Sequence, residues 1–556
     1  MKRMSAGKQN FKDLIDNDYY YVDKTMLIED ILREDVLLYT RPRRFGKTLN
    51  MSMLYYFFSI NEKENAYLFD GLKITHNEKA MKHMNQYPVI RLTFGGIKNP
   101  TLESQIDGIG DVISAFLRRN SNLKNHKNLS NYQHDKLEAF EHNIFERNDL
   151  QNSLQIISEC MYSIYKRRVI ILIDEYDVPL SSSREKYYDD FYDFYSSFLS
   201  KTLKYNDYIE RGVLTGCFRI VKESIFSGLN NLRVRTLLDY HARDCFGFTQ
   251  DEVDAILKEA HLEDKREIIR DWYDGYNFCG INIYNPWSLL EYVDILTVMP
   301  NQLPQPYWLS TSGNEVIYKY ISEMGEDLKK DFRRLLEGEA VSKRIRPDLT
   351  YREIDHNQYD SENVFTFLLF GGYLKILEPS KDALGNIIDN TYNMSIPNKE
   401  VSKIYKASFN SWFKEKYKNY DIKFIDALLD KDTKEANNIL NASLFETLSY
   451  YDNNESFYHG YMAKLLSAND YIVESNVESG LGRYDLFVHK LEAHPALLIE
   501  CKHSKTRENL ERDAQKGIEQ MIERKYVEGL MTKGYANVVS YCISFYKKEC
   551  YIKTTS

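Results

Sequence analysis

The most informative part of the chain runs Val36-Leu37-Leu38-Tyr39-Thr40-Arg41-Pro42-Arg43-Arg44-Phe45-Gly46-Lys47-Thr48. Its apolar and aromatic beginning predicts a buried β-strand, and its Gly-Lys-Thr end predicts a turn that opens a helix. Such a turn directs backbone N–H groups and the positive helix end at an anion. We therefore expect residues 41–48 to bind nucleotide phosphates, with Lys47 on the outer phosphates and Thr48 on Mg²⁺.

This turn departs from the usual P-loop, or Walker A, pattern at one position. Arg41 stands where the first glycine is usual, and Pro42 after it stiffens the loop. A basic turn that opens an ordinary helix is the alternative interpretation. The Gly-Lys-Thr string alone does not distinguish the two, so the decision depends on a second motif.

That second motif lies far downstream, where the apolar run Val169–Ile173 ends on Asp174 and Glu175. The profile is typical of a central parallel strand whose carboxyl end faces a ligand, as in a Walker B motif. We expect Asp174 beside Thr48 at Mg²⁺, and Glu175 on the attacking water, which needs a carboxylate that is not bound to the metal. A buried strand capped by solvated acids is the alternative, and the order of the two motifs argues against it.

Four short aliphatic runs predict the sheet that carries both motifs. They are separated by helix-compatible stretches and comprise Val36–Tyr39, Pro88–Phe94, Val169–Ile173 and Gly212–Thr215. This alternation predicts repeated βα units on a parallel sheet, with the ligand at the carboxyl ends of the strands.

These motifs resemble the AAA-ATPase-like proteins of bacteria, in which the Arg-Pro-Arg-Arg-Phe form of the turn is usual. The resemblance rests on Arg41–Thr48 and continues through other matched stretches, namely Tyr21–Thr25, Ile173–Asp177, Leu214–Gly216, Ser227–Asn231, Phe246–Thr249, Trp272–Tyr276 and Tyr284–Trp287. It implies a P-loop NTPase core of the AAA (ASCE) type with ATP as its ligand. It also places Thr215 where related ATPases have a polar residue that senses the γ-phosphate, although an ordinary strand-end threonine fits that position equally well.

A second group of charged residues lies near the carboxyl terminus, on the predicted strands Gly482–Val488 and Ala496–Lys502. Strand alternation puts Glu500 and Lys502 on one face. The group suits phosphodiester hydrolysis, with Asp485 and Glu500 holding Mg²⁺ and Lys502 orienting water or neutralising charge. Without further support, charged residues at an exposed strand edge are the alternative.

The arrangement resembles the PD-(D/E)XK nuclease superfamily, in the version fused behind AAA-ATPase-like domains. Glu455, on a predicted helix, matches the upstream acid of the family, and Gln520, on a helix after Lys502, matches a glutamine motif of one subgroup. The resemblance implies an α/β restriction-endonuclease-like domain with a nucleic-acid substrate.

Composition sets the outer bounds. The chain has 556 residues, of which 43% are hydrophobic and 28% are charged, so it is globular and long enough for several domains. Its net charge of −9 argues against coating nucleic acid through the overall field, so any contact needs a local basic patch. Seven cysteines without paired spacing argue against zinc and disulfides, and the absence of a secretory or membrane-spanning pattern predicts a cytoplasmic protein that does not bind membranes.

The predicted organisation has four parts: an AAA-ATPase-like nucleotide-binding core at 1–235, a helical lid at 236–330, a mainly helical connector at 331–440 and a PD-(D/E)XK nuclease-like domain at 441–556. We predict an ATP-hydrolysing protein coupled to a Mg²⁺-dependent nuclease acting on DNA, with RNA and a homo-oligomer left open. One alternative is an ATP-dependent regulatory or defence switch whose carboxy-terminal domain binds nucleic acid or protein without cleaving it. Another is a protein-remodelling ATPase with no nucleic-acid partner.

Overall fold

The computed structural model describes residues 2–183, 187–218, 231–308, 326–347, 360–382, 384–406, 420–447, 455–467, 471–479, 482–490, 496–535 and 537–555. Most of the predicted stretch Ser227–Asn231 therefore lies outside the described residues. The chain divides into two compact units, Met1–Lys406 and Ala407–Ser556, each of which is described by itself. The finer domain boundaries predicted at 235, 330 and 440 stay predictions.

A five-stranded parallel sheet forms the centre of the first unit. Its strands are β1 (Val36–Thr40), β2 (Val89–Thr93), β3 (Val169–Asp174), β4 (Ile209–Gly216) and β5 (Leu232–Arg235), in the spatial order β2-β3-β4-β1-β5. All residues of β1 and β3 are buried, as expected for a sheet covered on both faces. The four predicted strands and their parallel arrangement are confirmed, and β5 is an addition.

Helices connect and cover this sheet. They are α1 (Phe11–Asp16), α2 (Leu27–Ile31), α3 (Lys47–Phe58), α4 (Glu78–Met81), α5 (Leu102–Arg119), α6 (Asn131–Glu141), α7 (Arg147–Tyr165), α8 (Val178–Ser183) and α9 (Tyr188–Leu203). Helix α3 follows β1 directly through the predicted turn. The carboxyl ends of β1, β3 and β4 therefore lie beside the amino end of α3.

Three further helices follow, α10 (Gln250–Ala260), α11 (Arg266–Tyr273) and α12 (Pro286–Val298). Thr249 and Glu252 form the expected capping box at the start of α10. Asn285 caps α12, and Pro286 occupies its first turn, where a missing N–H costs nothing. The apolar core of these helices includes Met4 from the amino-terminal segment, so that segment is held against α10–α12.

The remainder of the first unit contains more strands than the helical periodicity predicts. A two-stranded hairpin joins β6 (Tyr276–Phe278) and β7 (Ile281–Ile283), and an antiparallel sheet has β8 (Val341–Arg344), β10 (Ile387–Ser395) and β9 (Lys375–Lys381) in that order. Helices α13 (Glu326–Leu336) and α14 (Ser361–Phe370) lie in the same stretch of chain. The part predicted as mainly helical thus also holds a sheet.

The second unit is a mixed five-stranded sheet with helices. Its strands β11 (Ile472–Ser479), β12 (Gly482–His489), β13 (Ala496–His503), β14 (Val538–Tyr546) and β15 (Glu549–Thr554) follow one another in space, and only β13 and β14 pair in parallel. The helices are α15 (Tyr420–Leu429), α16 (Thr433–Thr447), α17 (Glu455–Leu466), α18 (Leu510–Glu523) and α19 (Tyr526–Thr532). This α/β arrangement agrees with the predicted class of the carboxy-terminal domain.

Among the described residues, no helix combines the length and the apolar character that crossing a bilayer requires. All seven cysteines lie among the described residues, and none of them forms a disulfide bond there.

Candidate active sites

The turn between β1 and α3 is anchored by its apolar and buried members. Arg41 and Phe45 are almost completely buried, and the Phe45 ring packs edge-on against Tyr276, with 5.0 Å between the ring centroids. Gly46 adopts φ +80° immediately before α3, a conformation that glycine tolerates best. Residues Arg43–Thr48 consequently line a cavity of about 410 Å³ at the amino end of the helix.

Arg41, the residue that replaces the usual glycine, does not line this cavity. Its guanidinium donates to the carbonyl oxygens of Thr40 and Arg235, both at 2.8 Å, and of Ala242 at 3.2 Å. Burial lowers the pKa of Arg41 to about 10, and the Phe246 ring lies 5.2 Å from its guanidinium carbon. Arg41 therefore stabilises the turn through backbone carbonyls on the side away from the cavity. The family resemblance grouped Arg41 with the phosphate-binding residues, but it did not indicate this structural role.

Lys47 is held across the turn. Its Nζ donates to the carbonyl oxygens of Arg41 and Pro42, each at 2.8 Å, and the side chain is only 7% exposed. Neutral carbonyl oxygens accept its hydrogen bonds without neutralising its charge, so the ammonium group can still attract an anion that enters the cavity. Lys47 thus lies at the cavity wall as a cation that forms no ion pair among the described residues.

Asp174 ends β3 and Glu175 follows it, at the same edge of the sheet. Strand β4 lies between β1 and β3, which puts Thr215 beside both motifs, and its hydroxyl donates to Oδ1 of Asp174 at 2.5 Å. Asp174 is 3% exposed. The two residues that the sequence placed separately on β3 and β4 therefore form one buried pair.

Glu175 has the environment of a proton acceptor. Burial raises the pKa of its carboxyl, and the neighbouring charge of Asp174 raises it further, while Lys47 opposes the shift. Its backbone φ of 55° is uncommon for a residue with a Cβ atom and stores strain at this position. Glu175 lines the 410 Å³ cavity together with Lys47 and Thr48.

Walls distant in sequence complete the cavity. They come from the amino-terminal segment, from residues after β3 and β4, and from α12, namely Ser5, Gln9, Tyr20, Tyr21, Val22, Lys98, Asp177, Cys217, Phe248, Pro286, Trp287 and Leu290 among others. The Arg44 guanidinium carbon lies 4.1 Å from the centroid of the Trp287 ring. The sequence signals for Trp287 were its place in a matched motif and the proline that starts α12, neither of which shows contact with the turn.

Asp177 closes the cavity near β4. It is buried, and its Oδ2 accepts from the backbone N–H groups of Cys217 and Phe218 at 2.9 and 3.1 Å. Burial raises its pKa. The Tyr21–Thr25 motif is also structural in part, because Lys24 pairs with Glu252 at 2.6 Å.

The second candidate site lies in the carboxy-terminal unit, where β12 and β13 pair in antiparallel register. Leu486 faces Ile499, so Asp485 and Glu500 come next to each other across the two strands. Oδ2 of Asp485 accepts from the backbone N–H of Cys501 at 2.7 Å, and Nε2 of His459 lies 3.0 Å from the Asp485 carbonyl oxygen. His459 was not a sequence candidate.

Glu500 is the centre of this group. It is 3% exposed, and its Oε1 accepts from Nζ of Lys502 at 2.8 Å and from Nε2 of Gln520 at 3.1 Å. Burial raises the pKa of Glu500, and the charge of Asp485 adds to that effect. Burial alone would lower the pKa of Lys502, but the hydrogen bond to Glu500 and the charges of Glu500 and Asp485 together outweigh it, so the net shift is upward.

Gln520 reaches Glu500 because α18 packs unusually close to the sheet. A Cβ atom added at Gly517 would lie 2.1 Å from Sγ of Cys542 on β14. Only a glycine permits this approach, and Gln520 lies one turn further along the same face of the helix. Four of the five predicted residues, Asp485, Glu500, Lys502 and Gln520, are thereby brought together.

Whether a divalent cation fits beside Glu500 depends on which carboxylate oxygens there are free to bind it. Oε2 of Glu500 is buried and has no hydrogen-bond partner within the described part of the chain, as expected for an oxygen reserved for a cation. No group of three metal-ligating side chains occurs among the described residues. Glu455 begins α17, and its side chain is outside what the structure describes.

Comparisons with known proteins find two family models that match separate segments of the chain. Residues 5–226 match the family model of predicted AAA-ATPases, and residues 453–555 match that of the PD-(D/E)XK nuclease superfamily. The chain therefore carries an AAA-ATPase-like domain followed by a PD-(D/E)XK nuclease superfamily domain.

Individual relatives are more distant. An uncharacterized protein in the vnfD 5′ region of Azotobacter chroococcum mcd 1 is 27% identical over 326 residues, which is 58% of this chain and 56% of that protein. This chain therefore matches little more than half the length of that curated relative. A structure of the Aeropyrum pernix ORC2 protein (ADPNP-ADP complexes) shares 13% identity at a TM-score of 0.31, covering 71% of this chain and 96% of that one.

Proposed function

We propose that the first unit binds and hydrolyses ATP in the cavity beside the turn, and that this controls a Mg²⁺-dependent nuclease in the carboxy-terminal unit. The observation that carries the proposal is that Lys47, Thr48 and Glu175 line one cavity at the amino end of a helix. Its volume of about 410 Å³ is within the usual range for small-molecule sites.

Each residue has a proposed task in ATP turnover. The Lys47 ammonium exchanges its two carbonyl partners for phosphate oxygens, and the N–H groups of residues 43–48 surround the phosphates. Thr48 and Asp174 would hold Mg²⁺, which when bound neutralises charge on the phosphates. Glu175, with its raised pKa, accepts the proton of the attacking water, and Thr215 orients Asp174 and senses the γ-phosphate.

The carboxy-terminal residues support a phosphodiesterase. Asp485 and Glu500 would hold the divalent cation, which supplies charge stabilisation at the scissile phosphate. Lys502 neutralises developing negative charge or orients the water, and Gln520 fixes the Glu500 carboxylate through its 3.1 Å hydrogen bond. Glu455 is proposed as a further acid of this site on the strength of the family motif alone.

DNA is the proposed substrate, reached through local basic groups of the carboxy-terminal unit, since the net charge of −9 does not attract nucleic acid. ATP binding or hydrolysis is proposed to change the population of a nuclease-competent state, or to assemble a homo-oligomer. The alternative is an ATP-dependent switch that binds nucleic acid or protein without cleaving it. The two proposals differ in whether the protein cleaves plasmid DNA.

The test uses Lys47→Ala and Asp485→Ala, with exposed control substitutions Lys79→Ala and Glu528→Gln in the same two units. ATP turnover and the conversion of supercoiled plasmid to open or linear forms are measured for each variant. We expect Lys47→Ala to lose ATP turnover, and Asp485→Ala to lose cleavage while keeping turnover. Both controls should behave like the unaltered chain.

The outcomes separate the proposals. Plasmid that stays intact with Mg²⁺ and ATP, but binds the protein in an ATP-dependent manner, favours the switch. Loss of both activities in both variants contradicts two separate sites. ATP turnover without any salt-sensitive DNA binding favours the remodelling ATPase.

A further inference from the structure

A second cavity adjoins the first on the side of strand β2. Its volume is about 490 Å³, and it shares Thr48 and Glu175 with the first cavity. Asp174, Arg91 and Arg119 also line it. The two cavities therefore meet at the residues proposed to surround the terminal phosphate of ATP.

Arg91 lines the second cavity and is suited to bind an anion there. It lies on β2 two residues before Thr93, on the face that meets α3, and its guanidinium carbon is 5.9 Å from the centroid of the Tyr55 ring. Burial lowers its pKa, and the charge of Asp174 partly offsets that effect. Within the described residues it forms no hydrogen bond and no ion pair, although it is half-buried.

The Arg91 guanidinium is partly desolvated and has no acceptor among the described residues, and its nitrogen atoms stay accessible from the cavity that it lines. These donors are available to an oxyanion, since the planar fork of arginine matches two oxygens of a phosphate. Arg119, at the exposed end of α5, adds a second positive charge at the rim, and one of its N–H groups is already used on the Ala115 carbonyl. The cavity thus offers one arginine inside and one at its rim, opposite the two acids Asp174 and Glu175.

We infer that this second cavity is a site for inorganic phosphate, namely the phosphate that ATP hydrolysis releases. The inference rests on the proposed function. In that reaction the water oxygen bonds to the γ-phosphorus, the bond from phosphorus to the bridging oxygen breaks, and ADP keeps the bridging oxygen. The water proton passes to Glu175. The product arises where the cavities meet, and Arg91 receives it on the side away from the nucleotide.

Inorganic phosphate fits this cavity better than a nucleic-acid backbone does. The cavity opens onto Asp174 and Glu175, two acids that repel a polyanion unless a cation lies between them. A single small oxyanion formed beside these acids needs no path past them. Arg91 is therefore a positioning residue for the product and takes no part in bond cleavage.

The test measures binding of radiolabelled inorganic phosphate to the full chain by equilibrium dialysis, together with inhibition of ATP turnover by added phosphate. The variants are Arg91→Met, Arg91→Lys and Arg119→Met, with Arg33→Met as a control, because Arg33 is exposed and lines neither cavity. We expect Arg91→Met to weaken phosphate binding about tenfold or more, as for loss of a charged hydrogen-bonding group. Arg91→Lys should weaken it less, and the control should not change it.

Several results would overturn the inference. One is an unaltered chain that does not bind phosphate. Another is equal phosphate inhibition in the unaltered chain and Arg91→Met at unchanged ATP affinity. If Arg91→Met fails to fold, judged by its thermal unfolding, Arg119→Met decides: unchanged phosphate binding in that variant would contradict the site. Absence of ATP turnover in the unaltered chain contradicts the proposed function instead, whatever the dialysis shows.

Discussion

Substituting Gly95 by alanine is expected to separate ATP binding from ATP turnover. Gly95 follows β2 and faces the proposed water-activating carboxylate. A Cβ atom added there would lie 1.7 Å from Oε2 and 2.9 Å from Cδ of Glu175. Real Cβ atoms essentially never come within 3.0 Å of another heavy atom, so the carboxylate has to move by at least about 1.3 Å.

The magnitude follows from that displacement. A misplacement of about 1 Å in a catalytic group costs on the order of 100-fold in rate, so kcat for ATP should fall by about that factor. The Kd for ATP should not change, because the proposed phosphate contacts of Lys47 and Thr48 lie elsewhere on the cavity wall. The melting temperature should change little, since the displaced atoms end a flexible side chain.

Gly96→Ala is the matched control. A Cβ atom at Gly96 meets nothing within 4 Å, so the same chemical change one residue along leaves Glu175 in place. ATP turnover is measured by phosphate production, and ATP affinity by calorimetry. Normal turnover in Gly95→Ala, or an equal loss in Gly96→Ala, would refute the role assigned to Glu175.

Two other substitutions test separate parts of the structure. Glu400 is buried with a pKa raised to about 7, so between about pH 4.5 and 7 it keeps a proton in the folded chain that it has lost in the unfolded chain. The free energy of unfolding should therefore fall as pH rises from about 4.5 to 7. Measured by urea unfolding, Glu400→Gln should be more stable than the unaltered chain by up to about 3 kcal/mol at pH 8 but not at pH 5. A pH-independent difference would contradict this. Gly517→Ala should destabilise the carboxy-terminal unit by about 1–3 kcal/mol and reduce plasmid cleavage, because α18 must move away from Cys542. Gly460→Ala, whose Cβ atom meets nothing within 4 Å, should not destabilise it, and equal unfolding of the two variants would count against the close packing of α18.

The central sheet was predictable from sequence because its strands are continuous aliphatic runs. β1 and β3 are buried on both faces, and such strands leave a strong local signal. β5 (Leu232–Arg235) carries two arginines and gives no such signal. The sheet of β8, β9 and β10 was missed for a similar reason, since much of β9 and β10 is exposed and polar.

The candidate sites were predictable only in part. Motif spacing found Lys47 and Glu175, but the cavity that both residues line depends on β4 lying between β1 and β3, a property of the sheet order. Trp287 reaches the cavity through packing of α12, over 200 residues away from the turn. For Arg41 the sequence suggested too much. Its position in the motif predicts contact with the nucleotide phosphates, but its side chain is buried behind the turn.

ATP binding in the cavity beside Lys47 is tested most directly by calorimetric titration of the full chain with ATP in the presence of Mg²⁺, repeated with Lys47→Ala. Removing a charged group that meets phosphate should weaken binding at least about tenfold. We expect saturable binding by the unaltered chain and its loss in the variant. An unaltered chain that ignores ATP, or a variant that binds it equally well, would contradict the assignment of this cavity to a nucleoside triphosphate.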